Sequence, residues 1–265
     1  YIGDLKKGIV FKHKPDIVGI IDGNLVWQET PDTDVTPCGY TLLRKDQYSR
    51  EWGVTFLVKH NITFTIIPDS SKIEALWNKL KLLNHSLYAG VFYRPTSFPD
   101  SLKEKLTTFM ERNFSHKHNI CLIGDFNSPG INWTTLNSGS FGLHFCEELL
   151  GLNFSFNLYQ IVSELTRVCE DTSSILDLIL ISERMSLNLS SCLVGSGISV
   201  HKIAIACFKL DEKISENVSR NEISNFEAAN YVFIRNHLVS LFDDFNAMYV
   251  LVSLFDDFNA MYVSF

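Results

Sequence analysis

The chain has 265 residues, of which 46% are hydrophobic and 20% charged, enough apolar material to bury a core and too little charge bias for a disordered segment. Its apolar runs, such as 120–123 and 178–181, are much shorter than the roughly 20 residues needed to cross a bilayer, and the opening YIGDLKKGIVFKHKP lacks the continuous apolar stretch of a secretory signal, which points to an intracellular protein, nuclear or cytoplasmic and not secreted. The net charge of −7 is uneven: residues 211–265 carry nine Asp and Glu against three Lys and Arg, leaving residues 1–210 close to neutral. An acidic total therefore does not exclude an anionic substrate for the body of the chain.

In chain order, strand-like apolar runs fall at 17–21, 54–59, 62–67, 75–81, 87–93, 120–123, 175–181 and 203–208, and amphipathic helical spacing falls at 100–113 and 141–150. Many strands with a few helices between them predict an α/β sandwich, two packed β-sheets flanked by helices in four layers. Residues 1–210 form the expected domain, and the polar stretch 211–237 reads as a linker. Residues 238–265 contain LVSLFDDFNAMYV twice, at 238–250 and 251–263, each copy with helical apolar spacing. A shift of thirteen residues turns the second apolar stripe by roughly 220°, so one continuous helix cannot dock both copies on one surface. The six cysteines show no CxxC or CxxH pair and read as reduced thiols. The chain opens on Tyr1 rather than Met, as a piece of a longer protein would.

Polar residues collect where the predicted strands end. The run Ile120–Ile123 leads into Gly124-Asp125-Phe126-Asn127, where residues two apart in extended chain project Asp125 and Asn127 to one side. A carboxylate beside a carboxamide suits a hard cation and phosphate oxygens, while a plain Asx turn explains the same residues equally well. Asp177 interrupts the apolar run Ile175–Ile181 and needs a partner there, since an unpaired buried charge costs several kcal/mol. His201, just before the run Ile203–Phe208, is the candidate. Tyr93-Arg94-Pro95 closes another strand with a phenol and a guanidinium that suit phosphate oxygens, or with a proline stop alone. Asp22 ends the first strand as either a metal ligand or a turn residue.

Read in order, Pro15-Asp16-Ile17, Gly39-Tyr40, Arg44-Lys45-Asp46, Trp52-Gly53-Val54, Tyr93-Arg94-Pro95, Gly124-Asp125-Phe126-Asn127 with Pro129 and Trp133, Leu176-Asp177-Leu178 and His201-Lys202 resemble the endonuclease domains of LINE-type (non-LTR) retrotransposons, of the endonuclease/exonuclease/phosphatase superfamily, across roughly residues 10–210. The resemblance implies a magnesium-dependent (or manganese-dependent) phosphodiesterase that nicks DNA to prime reverse transcription, with a reverse transcriptase as the downstream domain of relatives. It implies that Asp125 positions or deprotonates the attacking water and shares the metal with Asp22. Asn127 and Tyr93 would contact the scissile phosphate, and His201, oriented by Asp177, would stabilise its charge. Four departures accompany it, the first being that the Asn opening the domain of relatives has no counterpart in residues 1–12. Asp22-Gly23-Asn24 stands where relatives have a metal-binding Glu, Ser199-Val200-His201 stands for Ser-Asp-His, and Arg50-Glu51-Trp52-Gly53 replaces a glycine-rich turn. The alternative these raise is a copy that folds and binds nucleic acid or protein without cutting.

Overall fold

A computed structural model describes residues 10–22, 31–45, 53–69, 73–82, 85–95, 102–114, 119–139, 143–169, 172–195 and 201–209, with the backbone alone described at Phe11, Asp22, Val35, 102–104 and Leu143. Gly23, Asn24, Asp46, the Arg50–Trp52 turn, Val200, the expected linker and the thirteen-residue repeat lie outside them. The chain divides into Tyr1–Glu212 and Lys213–Phe265, and the described elements belong to the first unit.

The sheet at the centre of the domain is built from strands whose apolar runs are nearly continuous because both faces are covered. β7 (Ile120–Asp125) and β13 (Asp177–Ser182) lie inside a six-stranded sheet of order β10-β13-β7-β6-β5-β4, in which the other strands are β4 (Thr63–Ile67), β5 (Ala75–Leu82), β6 (His85–Tyr93) and β10 (Leu158–Gln160). β4, at the edge, instead has no buried position, only exposed and half-buried ones. Every pairing is antiparallel except β6 with β7, whose parallel alignment requires the crossover helix α3 (Leu102–Phe114) between them. Helices α3 and α4 (Leu143–Ser155) cover one face of this sheet. Trp77, Phe109 and Phe114 cluster there, with Trp77 and Phe109 ring centroids 4.8 Å apart.

The second face packs against a three-stranded sheet of order β1-β3-β2, formed by β1 (Ile17–Asp22), β2 (Tyr40–Lys45) and β3 (Gly53–Lys59), and against the hairpin β14 (Leu189–Gly195) with β15 (Ile203–Phe208). The sheets approach closely at Gly19, where a Cβ would lie 2.6 Å from Ile123 Cδ1 and 2.9 Å from Val91 Cγ2 and would make those side chains shift. The far side of the three-stranded sheet buries Tyr40 and Leu57 beneath Val10, which precedes the short helix α1 (Phe11–His13). A second short helix, α2 (Asp32–Val35), is tied to β2 by Arg44 and Asp32, 3.1 Å apart. The α/β sandwich predicted from sequence is the fold observed.

Two of the expected elements have different bounds from the sequence reading. The expected strand 175–181 begins only at Asp177, because the backbone N–H groups of Leu176 and Asp177 both donate to Thr166 Oγ1 at 3.0 Å instead of entering the ladder. The expected helix 141–150 continues to Ser155, and the chain then reverses through Asn157 at φ 49°. The small pairings β8 (Ile131–Asn132) with β9 (Asn137–Ser138) and β11 (Arg167–Val168) with β12 (Ser173–Ser174) complete the described strands, and α5 (Glu183–Ser186) follows β13.

Candidate active site

Sheet topology brings three strand ends together. Because β6 and β7 run parallel, both finish at the same edge, with Tyr93 in register with Asp125. Because β13 runs the opposite way, it starts there, and Asp177 faces Asp125 across the ladder. Residues 93, 125 and 177 are thus neighbours through hydrogen-bond register alone.

The turn after β7 aims the side chains. Gly124 has φ +152°, and a Cβ at that position would sit 1.8 Å from the Phe92 carbonyl oxygen, so only glycine fits. Asn127 has φ 44°, a left-handed conformation that Asn tolerates better than most residues. Its backbone N–H donates to Asp125 Oδ1 at 2.9 Å, and its side-chain Nδ2 donates to the Arg94 carbonyl at 2.6 Å and to Asp125 Oδ2 at 3.3 Å. Since both Nδ2 partners are oxygens, the amide orientation follows from the hydrogen bonds, and Oδ1 faces no protein donor among the described residues. Asp125 and Asn127 therefore meet through an Asx-type turn, not through the alternation of an extended strand expected from sequence. The turn and the candidate site are one structure.

His201 arrives from 24 positions beyond Asp177, and its Nδ1 lies 2.9 Å from Asp177 Oδ2. A carboxylate only accepts, so Nδ1 carries the proton that is directed at Asp177. Thr166, fully buried, ties the two together: its hydroxyl takes the Asp177 N–H, its carbonyl takes the Lys202 N–H at 2.6 Å, and its neighbour Arg167 forms a backbone bridge with His201. Ligand-capable atoms of Asp125, Asp177 and His201 all fall within 4.8 Å of one another.

The electrostatics follow from this crowding. Asp125, 7% exposed, has its carboxyl pushed up to about 6, first by burial and then by the charge of Asp177, against the opposing pull of the Asn127 N–H, His201 and Arg167. The hydrogen bond to Asp177 leads in raising the imidazole of His201, with burial opposing. Tyr93 is pushed up to about 12 by burial, then by Asp125 and Glu74, and so remains a protonated phenol at any working pH. Glu74, 1% exposed and with Oε2 lacking a hydrogen-bond partner, is raised to about 7 by burial, with Lys45 opposing. A divalent cation fits this donor set: two adjacent carboxylates repel each other, and the free Asn127 Oδ1 adds a neutral oxygen of the kind hard cations prefer.

Asp125, Asn127, Asp177, His201 and Tyr93 therefore stand together. The Asp22 side chain and Val200 lie outside the described residues, and the structure gives Asp22 only as the last residue of β1, paired with Gly53. Sequence reasoning missed Thr166 and Glu74, neither of which sits in a pattern that distinguishes it from an ordinary core residue. Arg94, whose guanidinium was expected to suit phosphate, lies 4.0 Å over the Phe145 ring and donates from Nη1 to the Asn127 carbonyl at 2.8 Å.

Known proteins share the fold. An endonuclease-reverse transcriptase family model matches residues 87–203, the stretch from β6 to the start of β15. The fold is similar to the endonuclease domain of TRAS1, a telomere-specific non-LTR retrotransposon, with TM-score 0.61 and 15% identity over 76% of this chain and 88% of that one. It is also similar to an AP endonuclease from Leishmania major, with TM-score 0.62 and 12% identity over 79% of this chain and 83% of the other. A 3′ phosphatase from Neisseria bound to a product DNA hairpin aligns with TM-score 0.56 and 15% identity, covering 77% of this chain and 93% of that one. No curated protein sequence matches. Among the described residues no helix is long and apolar enough to cross a membrane.

Proposed function

We propose that this chain is a member of the endonuclease/exonuclease/phosphatase superfamily and a divalent-cation-dependent endonuclease of a retrotransposon, nicking DNA to expose the 3′ hydroxyl from which reverse transcription is primed. The observation that carries the reading is the convergence of Asp125, Asp177 and His201 within 4.8 Å at three strand ends. A structural ion pair would explain Asp177 with His201, but not a second, buried carboxylate placed against them.

Each residue then has a role its environment suits. Asp125, ionised above about pH 6, accepts the proton of the attacking water as its oxygen bonds to phosphorus and the bond from phosphorus to O3′ breaks, the departing O3′ taking a proton from solvent to become the 3′ hydroxyl. His201, whose cationic form the hydrogen bond to Asp177 favours, donates in that form from Nε2 to a phosphoryl oxygen on which charge develops. Tyr93, held protonated, supplies a further donor. Arg167, whose charge acts on both Asp125 and His201, favours an anion in the same place. Magnesium, or manganese in its stead, would be held by Asp125 and Asp22 with the Asn127 oxygen near, and would supply charge neutralisation at the diester.

The test uses the full chain and supercoiled plasmid. Nicking in magnesium that stops in EDTA and is lost in Asp125→Ala supports the enzyme. Asp22 and Val200, at positions where relatives carry Glu and Asp, motivate the second reading of a folded copy that binds without cutting. That reading holds if only Asp22→Glu combined with Val200→Asp cuts.

A further inference from the structure

We propose that Arg94 is a positioning residue for Asn127, locking the turn 124–130 onto α4, and that it does not contact the substrate phosphate. The role is an addition to the nuclease reading and rests on it for its catalytic consequence. Its geometry is reciprocal. Arg94 Nη1 donates to the Asn127 carbonyl at 2.8 Å while Asn127 Nδ2 donates to the Arg94 carbonyl at 2.6 Å, and the Arg94 N–H donates to the Asp125 carbonyl at 2.9 Å. One residue thereby grips Asp125 and Asn127 through three hydrogen bonds.

The guanidinium is fixed in turn by α4. Its carbon lies 4.0 Å from the centroid of the Phe145 ring, a stacking distance for a cation on an aromatic face. The next residue of the helix, Cys146, accepts a hydrogen bond on Sγ from the Gly130 N–H, so α4 holds the far end of the same turn. Asn127 needs such a hold. At φ 44° it is in a conformation that non-glycine residues adopt at a cost, and it persists only where its surroundings overdetermine it. An arginine stacked on a ring and bonded to a carbonyl has its planar face and one arm of its fork engaged, whereas a phosphate contact asks that fork to face solvent.

The two roles separate in DNA binding and in the state of the Asn127 amide. Arg94→Lys keeps the charge but loses both the stacking and the fork, and Phe145→Leu keeps the core apolar while removing the ring. Measured on the full chain, positioning predicts that either substitution lowers nicking turnover at saturating DNA by at least about tenfold. DNA affinity and its salt dependence stay as in the unmodified chain. The Asn127 side-chain amide signals, assigned by their loss in Asn127→Asp, move toward those of a free amide in the nitrogen-proton correlation spectrum. A phosphate contact predicts instead that Arg94→Met weakens DNA binding and flattens its salt dependence by about 0.9 in the logarithmic slope. That result, or Asn127 amide signals unmoved in both Arg94→Lys and Phe145→Leu, overturns the proposal. If the unmodified chain cuts nothing, the nuclease reading fails while the amide signals and binding slopes still decide the role of Arg94.

Discussion

Asp125 carries opposite demands at a single residue. Its carboxyl is buried beside Asp177, and its value of about 6 exceeds the ordinary 3.8, so the folded protein holds the proton more tightly than the unfolded chain. Stability from this group is fully present below about pH 4 and is lost as pH rises to about 6, a difference of up to about 3 kcal/mol. Asp125→Asn, which cannot ionise, should therefore be more stable than the unmodified protein in urea titrations at pH 7.5 in EDTA and no more stable at pH 4, while nicking nothing. Equal stability at pH 7.5 would remove the claim of strain at the site. Glu74 has the same sign, from 4.5 to about 7, so Glu74→Gln should remove a further part of the stability lost between pH 4.5 and 7. For His201 the raised imidazole adds stability below pH 6.5 that is lost as pH rises through its folded value. Asp177→Asn should bring the His201 ring titration down in a proton NMR pH series. At this scale the sequence was legible where chemistry is local: Gly124 to Asn127 and Asp177 stand out against apolar runs. Thr166 did not, because its importance lies in two backbone N–H groups 10 and 11 positions further along the chain.

Elements were readable from sequence when both faces were buried. The runs of β3, β7 and β13 are continuous and apolar, and their placement followed. β2 and β14 escaped because YTLLRK ends in two cations and LSSCLVG mixes serines with apolar residues, each strand half-exposed. The turn between β7 and Asn127 is the most constrained piece of local structure. Gly124→Ala would drive a Cβ into the Phe92 carbonyl and force β6 and β7 apart. Loss of at least about 3 kcal/mol in denaturant, or failure to fold, is the expected result, since a backbone clash cannot relax as a side-chain clash does. A stable alanine variant would show that the close approach of these strands is not required.

At the scale of the whole molecule, the site depends on distant segments meeting, which no local pattern announces. His201 reaches Asp177 only because the hairpin of β14 and β15 and the strand β13 belong to one sandwich. The family-model match covers 87–203 and leaves out β1 to β5, the region that includes Asp22. Most of the net negative charge lies beyond residue 210, outside the segment that supplies the site. The sequences Asp244-Phe245-Asn246 and Asp257-Phe258-Asn259 imitate the site motif without its glycine, so Asp244→Ala with Asp257→Ala should leave nicking unchanged, and a loss of activity would assign that segment a part in the chemistry.

The nuclease reading requires a divalent cation held where the ends of β6, β7 and β13 meet. Proton NMR of the histidine rings during addition of substoichiometric manganese tests this without requiring activity. Cation binding at those strand ends predicts selective broadening of His201, sharp signals from His60 and from His144 beside Glu148, and loss of the effect in Asp125→Asn. Broadening of His144 or His60 with His201 left sharp, or broadening of His201 that persists in Asp125→Asn, would contradict it.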